Sequence, residues 1–345
     1  MTAPWPQVSV IVPAYNGAAT VGDCLRALLE QQTERWYEII LVDDGSTDDT
    51  AHEVVAFAPR VRLVRQQHAG AAAARNRGVS AAQGDILLFT DADCEPTPGW
   101  IDTLARALDG ADGAKGTYRT RQRSVVARWV QAEYESKYRR MAQRPTIDFI
   151  DTYSAAYRRD VFDAAGGFNE ALQVDEDQEL SFRLAEAGAR LVFAPEAVVY
   201  HRHVATPMAY VKRKFRIGYW KVLVAAMHPA RIITDSHTPQ SLKAQMALLA
   251  LMLLLLPASP FSRRARKALA ISACMLLATT LPIAARIADD DPAVALAALL
   301  MSLLRAAGLL AGTLAGLMRF GPRLLRRIVS TSTRASSIKY NRRHD

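Results

Sequence analysis

The sequence predicts an α/β domain with a mostly parallel sheet, followed by apolar helices in the last third of the chain. Short apolar runs alternate with segments of helical periodicity, and polar side chains follow directly after several of these runs. The later stretches 244–262, 268–285 and 293–318 are each near the length that crosses a bilayer. Strands that alternate with helices form a parallel sheet with right-handed crossovers, and ligands bind beyond the carboxyl ends of such strands.

Length and composition favour one sizeable core with an appendage. The chain has 345 residues and a formal net charge of +9, with basic residues concentrated around 202–221 and near the C-terminal end. A basic segment beside apolar stretches favours anionic lipid head groups over nucleic acid as partners. The scattered Cys24, Cys94 and Cys274 favour a reducing compartment, with neither a disulfide framework nor a zinc site. Residues 1–7 lack the features of a signal peptide, so we expect the N-terminal domain in the cytoplasm.

Four strands are predicted in the first ninety residues, at 8–12, 38–42, 61–64 and 86–89. Helical periodicity follows each of them. Polar or aromatic residues stand at the carboxyl ends of three of these strands and therefore at one edge of the sheet. They are Tyr15, Asp43, Asp44, Asp91 and Asp93.

Asp91 and Asp93 form the most informative pair at this edge. Residues two apart at a strand end point the same way, so both carboxylates can face one point while Ala92 faces elsewhere. Two such oxygen ligands suit Mg²⁺ or Mn²⁺, with a substrate phosphate completing the shell. A turn in which an Asp caps the next element is the alternative. Neither a dinucleotide-binding glycine motif nor a P-loop motif occurs, so phosphates must be held by a metal and basic side chains.

A second acidic group lies at residues 175–179, where four carboxylates fall within five residues at the start of a predicted helix. One or two acids there are explained by the helix dipole and by capping, but four are not. The strand predicted at 191–200 ends in His201 and His203, which are either metal ligands or structural side chains.

The C-terminal third is predicted to associate with a membrane. The helix around 211–222 combines an apolar face with many basic residues, a pattern typical of a helix in the membrane interface. The predicted divisions are 1–205 for the catalytic domain, 206–240 for interface helices, 241–322 for two or three membrane helices and 323–345 for a basic, disordered tail.

The positive-inside rule predicts an orientation for these helices. It keeps the basic segment 263–267 in the cytoplasm and places Asp289–Asp291 outside, so the first stretch re-enters or lies flat. Arg305 lies in the middle of the third stretch, which is costly unless it is buried or reaches the interface. Glycines at every fourth position of that stretch predict a close-packing face, which offers a contact for a homo-oligomer. They are Gly308, Gly312 and Gly316.

Residues 8–203 resemble a family 2 glycosyltransferase with the GT-A fold. The resemblance depends on Val-Ser-Val-Ile-Val-Pro-Ala-Tyr-Asn, Val-Asp-Asp-Gly-Ser, Ala-Arg-Asn-Arg-Gly and Thr-Asp-Ala-Asp, together with Gly-Gly-Phe and Glu-Asp-Gln-Glu-Leu-Ser-Phe-Arg-Leu. In chain order these segments cover 8–16, 42–46, 74–78, 90–93, 166–168 and 176–184. The resemblance implies an inverting transfer of a sugar from a nucleotide diphosphate sugar.

The resemblance also implies roles for individual residues. Tyr15 would stack on the base, and Asp43 or Asp44 would hydrogen-bond it. Arg75 would reach the diphosphate by bidentate contacts. Asp177 would be the general base that deprotonates the acceptor hydroxyl, with Glu176 as the fallback. The implied nucleotide-sugar site comprises Pro13, Tyr15, Asp43, Asp44, Arg75 and Asp91, and the implied site for Mg²⁺ or Mn²⁺ comprises Asp91 and Asp93.

Together these patterns predict an enzyme of the cytoplasmic membrane whose catalytic domain faces the cytoplasm. It would transfer one sugar to a lipid or lipid-linked acceptor in the synthesis of a cell-envelope glycan. The alternatives are a processive polysaccharide synthase, a catalytically silent membrane adaptor and a nucleotidyltransferase. The Gln-x-x-Arg-Trp signature of processive synthases is absent, and residues 215–220 are only loosely similar to it. A silent adaptor would have no need of a metal site and a base together.

Overall fold

The computed structural model of this protein describes residues 7–231 and 238–341, and of residues 323–341 only the backbone. The described part contains one eight-stranded sheet with the order β3-β2-β1-β4-β7-β6-β8-β5. Its strands are β1 (Val8–Ala14), β2 (Tyr37–Asp43), β3 (Val61–Arg65), β4 (Ile86–Phe89), β5 (Cys94–Pro96), β6 (Gly113–Arg119), β7 (Ala155–Arg158) and β8 (Leu191–His201).

The first four strands form the parallel half of the sheet, as the sequence predicted. β1 lies between β2 and β4 and is parallel to both, and β3 extends the sheet beyond β2. Side chains alternate between the two faces of β1, so Val10 and Val12 enter one apolar layer while Ile11 enters the other. The four predicted strands are therefore confirmed, and their carboxyl ends lie at one edge.

The other half of the sheet is mixed and differs from the mostly parallel prediction. β7 is antiparallel to β4 and β6, whereas β6 is parallel to β8. The sequence of β6, Gly-Ala-Lys-Gly-Thr-Tyr-Arg, has no apolar run and was not predicted as a strand. Gly116 is required there because a Cβ atom at this position would overlap the Ser154 hydroxyl and the Ala197 carbonyl.

Helices cover both faces of the sheet. Residues of α1 and α4 pack on the layer of Val10, and residues of α3 and α7 pack on the layer of Ile11. The helices of the catalytic domain are α1 (Val21–Leu29), α2 (Thr50–Val55), α3 (Ala71–Ala81), α4 (Trp100–Ala107), α5 (Val125–Met141), α6 (Arg159–Ala164) and α7 (Glu176–Glu186).

Four more helices form the C-terminal part: α8 (Pro207–Met227), α9 (Gln240–Leu255), α10 (Arg263–Ala288) and α11 (Pro292–Asn341). Among the described residues, α10 and the segment Pro292–Pro322 of α11 are long and apolar enough to cross a membrane. The first apolar stretch forms only the 16-residue α9, about 24 Å long, which is short of a 30 Å hydrocarbon core. This length fits the alternative in which the stretch does not cross.

The glycine face of α11 packs closely, but its partner is α8 of the same chain. A Cβ atom at Gly308 would lie 3.0 Å from the Val211 carbonyl oxygen, and one at Gly312 would overlap the Phe215 carbonyl. Gly218 of α8 lies in turn against the backbone of Leu309. The close-packing prediction is therefore correct, whereas the predicted homo-oligomer contact through this face is wrong, because α8 covers it.

The turn between α10 and α11 lies against the catalytic domain. The Asp291 carboxylate accepts a hydrogen bond of 2.6 Å from Arg128 of α5, and Ile287 and Val294 pack around Trp129. If α10 and α11 both cross a membrane, Asp289–Asp291 lies on the same side as the catalytic domain. The predicted combination of a cytoplasmic catalytic domain with an external Asp289–Asp291 segment is therefore wrong. The position of this turn is set by its contacts with α5, which the positive-inside rule does not take into account.

The far end of α11 also differs from the prediction. The backbone helix continues to Asn341, whereas residues 323–345 were predicted as a disordered tail. Leu and Arg are good helix formers, so they extend a helix that is already nucleated. Residues 342–345 and the predicted signal-free segment 1–6 lie outside the described residues.

Candidate active site

The β2 end of the sheet edge holds a carboxylate whose hydrogen-bonding capacity is used by the protein itself. Asp44 accepts hydrogen bonds from the Gln66 side-chain amide at 2.7 Å and from the backbone amides of Ala69 and Gly70, both at 2.9 Å. His68 Nδ1 lies 2.9 Å from the same carboxylate. Asp44 therefore positions the loop that leads into α3.

Asp43 makes fewer contacts with the protein and can still accept hydrogen bonds from a ligand. One of its oxygens accepts a hydrogen bond from the Ser46 amide at 2.9 Å, and the other lies 3.6 Å from Arg65 Nε. The nearby Tyr15 is half exposed, and its ring stacks on His68 with centroids 4.1 Å apart. Pro13 pairs with Val42 inside the sheet just before this turn. Of the two carboxylates that the resemblance left open, Asp43 is therefore better placed to meet a ligand.

Arg75 occupies the middle of the site and does not point freely toward it. Its guanidinium is buried and donates to Asp91 Oδ1 at 2.8 Å and to Glu176 Oε1 at 2.6 Å. The two carboxylates come from the β4 end and the start of α7, so Arg75 joins the two acidic groups that the sequence singled out. Because Arg75 binds Glu176, this residue is a poor general base. Arg75 also binds Asp91, which was predicted as a metal ligand.

Asp93 lies beyond this bridge and faces a histidine. His201 Nε2 is 3.5 Å from Asp93 Oδ2, while Ala92 between the two acids is buried in the core as predicted. Asp91 and Asp93 thus both leave the core at the end of β4 but meet different partners. The sequence marked His201 as a candidate ligand without linking it to Asp93, because residue 201 comes alongside residue 94 only through the pairing of β5 with β8.

A chain of hydrogen bonds defines the protonation of His201. The Gln131 amide nitrogen donates to the Tyr118 carbonyl, so its Oε1 is left to accept from His203 Nε2 at 3.1 Å. His203 Nδ1 then carries a lone pair and accepts a hydrogen bond of 3.0 Å from His201 Nδ1. In the neutral ring of His201, Nε2 is therefore the unprotonated nitrogen and directs its lone pair toward the Asp93 carboxylate.

His201 Nε2 and the Asp93 carboxylate face each other and both offer lone pairs, which is an arrangement suited to a cation. Burial lowers the pKa of His201 below 6.5 and that of His203 to about 3, so both rings are neutral at pH 7. A neutral imidazole held by a second-shell hydrogen bond is the form that ligates a metal. Cys94 is within reach of the same point, but burial raises the pKa of its thiol well above the usual value, so it stays protonated.

Asp177 stands in the first turn of α7 and forms no ion pair with the described residues. Its Oδ1 accepts a hydrogen bond of 2.7 Å from the adjacent Gln178 amide. Burial raises its pKa well above 3.8, and the charges of Glu176 and Asp151 raise it further. A carboxylate with a raised pKa is the state expected of a general base.

Sequence reasoning missed a buried group beside Asp177. Lys115 of β6 donates to the Asp151 carboxylate, and Tyr153 donates to the other oxygen of the same carboxylate. Lys115 lies in a strand that the sequence did not reveal, and Asp151 lies between predicted elements. An isolated Lys inside a polar stretch provides no signal of burial, so this group could not have been found.

A cavity of about 1420 Å³ lies between the edge of the sheet and the C-terminal helices. Asp91 and Asp177 line it from the catalytic domain, Arg213 lines it from α8, and Leu242 and Leu309 line it from α9 and α11. Small-molecule sites usually measure about 300–1,000 Å³. This cavity is larger, and it joins the acidic site to apolar helix surfaces.

Comparisons with known proteins agree with this architecture. The family model described as "Glycosyl transferase family 2" matches residues 9–166. The chain is 29% identical over 233 residues to glycosyltransferase AglE of Haloferax volcanii, a match that covers 65% of this chain and 76% of that protein. It is also 29% identical over 233 residues to the pre-mycofactocin glycosyltransferase of Mycobacterium tuberculosis, where it spans 48% of the relative's length and 64% of its own.

A solved structure shows the same fold over nearly the whole chain. It is the mannosyltransferase PcManGT of Pyrobaculum calidifontis in complex with GDP-Man and Mn²⁺, which is 22% identical. The superposition has a TM-score of 0.59 and covers 92% of this chain and 91% of that one. The fold is thus that of a GT-A glycosyltransferase. The similarity to glycosyl transferase family 2 lies in the N-terminal domain.

Proposed function

We propose that this protein transfers a single sugar, with inversion at the anomeric carbon, from a nucleoside diphosphate sugar to an acceptor at the membrane surface. The observation that carries the proposal is one cavity that is lined by Asp91, by the base-like carboxylate of Asp177 and by apolar side chains of α9 and α11. The pocket of Asp93 and His201 begins two residues beyond Asp91, next to this cavity.

The donor set of the pocket fits Mg²⁺ or Mn²⁺. Asp93 supplies a hard oxygen and His201 a neutral nitrogen, and the remaining positions of such an ion are usually filled by phosphate and water. A metal bound there would neutralise the negative charge of the diphosphate. Asp91 would support the pocket from beside it, because Arg75 already holds this carboxylate.

The residues of the chain then perform the following roles. Asp43 and Tyr15 bind the nucleoside at the carboxyl ends of β1 and β2. Asp177 takes the proton of the acceptor hydroxyl as its oxygen attacks the anomeric carbon, and the bond to the diphosphate oxygen breaks on the opposite side. The Arg75 bridge ties the β4 end to the start of α7 and so sets the position of Asp177 relative to the pocket.

The acceptor is proposed to be a lipid or lipid-linked glycan. Exposed apolar side chains cover α9, α10 and α11, among them Leu254, Leu281 and Leu314, and α10 and α11 can cross a membrane. The cavity opens between these helices and the catalytic domain, so an acceptor anchored in the bilayer could reach Asp177. The names of relatives such as the succinoglycan biosynthesis protein ExoO of Rhizobium meliloti support a role in making envelope glycans.

One assay tests the donor, the metal and the acceptor together. Full-length protein in vesicles of bacterial lipid extract is incubated with radiolabelled UDP-, GDP- and dTDP-sugars, with Mn²⁺ or with EDTA, and the organic-extractable product is counted. We expect one donor class to give a lipid-soluble product in Mn²⁺. Asp93→Asn should lower transfer at least 100-fold, because the pocket loses an anionic ligand.

Asp102→Asn is the matched control, because Asp102 lies on the surface helix α4 away from the cavity. It should retain wild-type transfer. Full activity in EDTA would contradict the metal, and a product confined to the aqueous phase would contradict the lipid acceptor.

A further inference from the structure

Three consecutive basic residues of α8 have different surroundings. Lys212 is exposed, and Lys214 is paired with Glu133 at 3.1 Å. Arg213 lies between them, is partly buried and lines the cavity together with Asp91 and Asp177. Within residues 7–231 and 238–341, the Arg213 guanidinium has no hydrogen bond or ion pair. None of its nitrogens is sealed in the core, so they can bind a ligand that enters the cavity.

The surroundings of Arg213 indicate which ligand this is. Arg213 lines the cavity together with Asp91, two residues before Asp93, and its charge interacts with both carboxylates, so it lies toward the metal pocket. No carboxylate there contacts it, because Asp91 is held by Arg75 and Asp93 faces His201. The remaining candidate ligand for Arg213 is the diphosphate that the pocket is proposed to receive.

We propose that Arg213 binds the diphosphate of the donor and stabilises it as the leaving group. This inference depends on the proposed function. As the acceptor oxygen bonds to the anomeric carbon, the bond from that carbon to the β-phosphate oxygen breaks with its electron pair. The β-phosphate gains one negative charge, while Asp177 gains the proton from the acceptor. A guanidinium can stabilise that charge with two parallel hydrogen bonds, and its own protonation does not change.

The resemblance assigned the diphosphate to Arg75, and the proposed role of Arg213 adds a second cation from another element. Arg75 makes bonds of 2.6 and 2.8 Å to two carboxylates and is buried, so two of its nitrogens are already occupied. Arg213 comes from a different part of the fold, on a helix held to α11 through Gly218 and Gly312. The contact to the leaving group would thus come from the helix that connects the catalytic domain to the membrane part.

The test compares Arg213→Gln, Arg213→Lys and Arg216→Gln in the full chain. Arg216 is exposed and lines the same cavity three residues further on, so its variant removes the same charge from the same wall and tests whether the effect is specific to Arg213. Binding of uridine, guanosine and thymidine diphosphates, and of the matching nucleosides, is measured by calorimetry in Mn²⁺. Steady-state transfer is measured with the donor that the wild type uses.

We expect Arg213→Gln to weaken binding of the preferred diphosphate about 10- to 100-fold, as expected for a lost charged hydrogen bond. Nucleoside binding and the thermal midpoint should not change, Arg213→Lys should restore part of the affinity, and Arg216→Gln should behave as wild type. Unchanged diphosphate affinity in a folded Arg213→Gln variant would overturn the inference, as would an equal loss in Arg216→Gln. A wild-type protein that binds none of the diphosphates would instead refute the proposed function itself.

Discussion

Asp44 and Asp93 occupy similar places in the fold but have opposite surroundings. Both follow a strand of the parallel half of the sheet, and both point toward the edge where ligands bind. Asp44 accepts three hydrogen bonds from its own loop, whereas Asp93 accepts a weak one of 3.8 Å from Cys94 Sγ and faces the lone pair of His201. The number of donors that the surrounding fold supplies thus separates a structural carboxylate from one available to a ligand.

The same contrast applies to the acids of α7. Glu176 is joined to Arg75, while Asp177, the next residue, has no ion pair in the described part of the chain and has a raised pKa. At the boundary with the C-terminal helices, Glu133 is bound by Lys214 and by Arg305. Carboxylates that the protein neutralises hold its parts together, and those that it leaves alone are available for chemistry.

The largest expected effect tests this contrast within α7. Asp177→Asn keeps the shape of the side chain but removes the base, so turnover should fall about 10²- to 10⁴-fold while donor affinity stays near wild type. Steady-state transfer and diphosphate binding measure the two quantities. The remaining pH dependence is a second readout, because the raised pKa of Asp177 means that wild-type activity declines on the acid side at a higher pH than for an ordinary Asp.

Glu176→Gln is the matched comparison on the neighbouring residue. It leaves Arg75 with one charged partner, so we expect lower stability and a smaller loss of turnover than for Asp177→Asn. If Glu176→Gln abolished transfer while Asp177→Asn remained active, the base would be the neighbouring residue and the contrast would fail.

A smaller effect is expected where a neutralised carboxylate loses its partner. Burial alone would raise the pKa of Glu133, but Lys214 and Arg305 outweigh it and hold the pKa at about 2. Arg305 of α11 donates to Glu133 Oε1 at 2.8 Å and to Gln245 of α9 at 2.8 Å, which also explains how the helix tolerates an arginine. Arg305→Met should destabilise the protein by about 3 kcal/mol, because it leaves a buried charge poorly compensated.

Thermal unfolding in detergent measures this loss, and the double variant Glu133→Gln with Arg305→Met provides the control. It should be more stable than Arg305→Met alone, because no unpaired carboxylate remains. Since the pKa of Glu133 is depressed from 4.5, the stability it contributes is present above pH 4.5 and is lost as the pH falls toward 2. A single variant as stable as the double one at pH 7 would contradict the contribution of the ion pair.

The smallest effect concerns Asp175, a carboxylate that burial leaves unsatisfied. Its Oδ2 is buried without a hydrogen bond in the described residues, and burial, with a contribution from Glu176, raises its pKa to about 7. A raised folded pKa destabilises the ionised protein, so this cost is absent below pH 3.8 and grows as the pH rises toward 7. Asp175→Asn should therefore stabilise the protein at pH 8 by about 1–2 kcal/mol, and by less at pH 5.

Melting temperatures at the two pH values measure the difference. Asn also tolerates the left-handed backbone at this residue, where φ is 66°, so the variant adds no backbone strain. An equal gain at pH 5 and pH 8 would show that the effect does not come from the charge.

Local patterns were enough to predict the parallel half of the fold. Apolar runs of strand length predicted β1 to β4, and their polar ends predicted which edge carries the site. These features could be predicted because strands, helices and turns are each indicated by residues that are close together in the sequence. The mixed half could not be predicted in the same way, because β6 owes its burial to contacts with residues far along the chain.

The sequence by itself determined the class of the protein, the acids at the end of β4 and at the start of α7, and the apolar character of the C-terminal helices. Only the tertiary structure decided which of those acids are neutralised: it placed Arg75 between Asp91 and Glu176, and His201 opposite Asp93. It also placed α8 on the glycine face of α11 and Asp291 against Arg128. The physical reason is that the state of a carboxylate depends on donors and charges within a few ångströms, and folding brings these from distant positions.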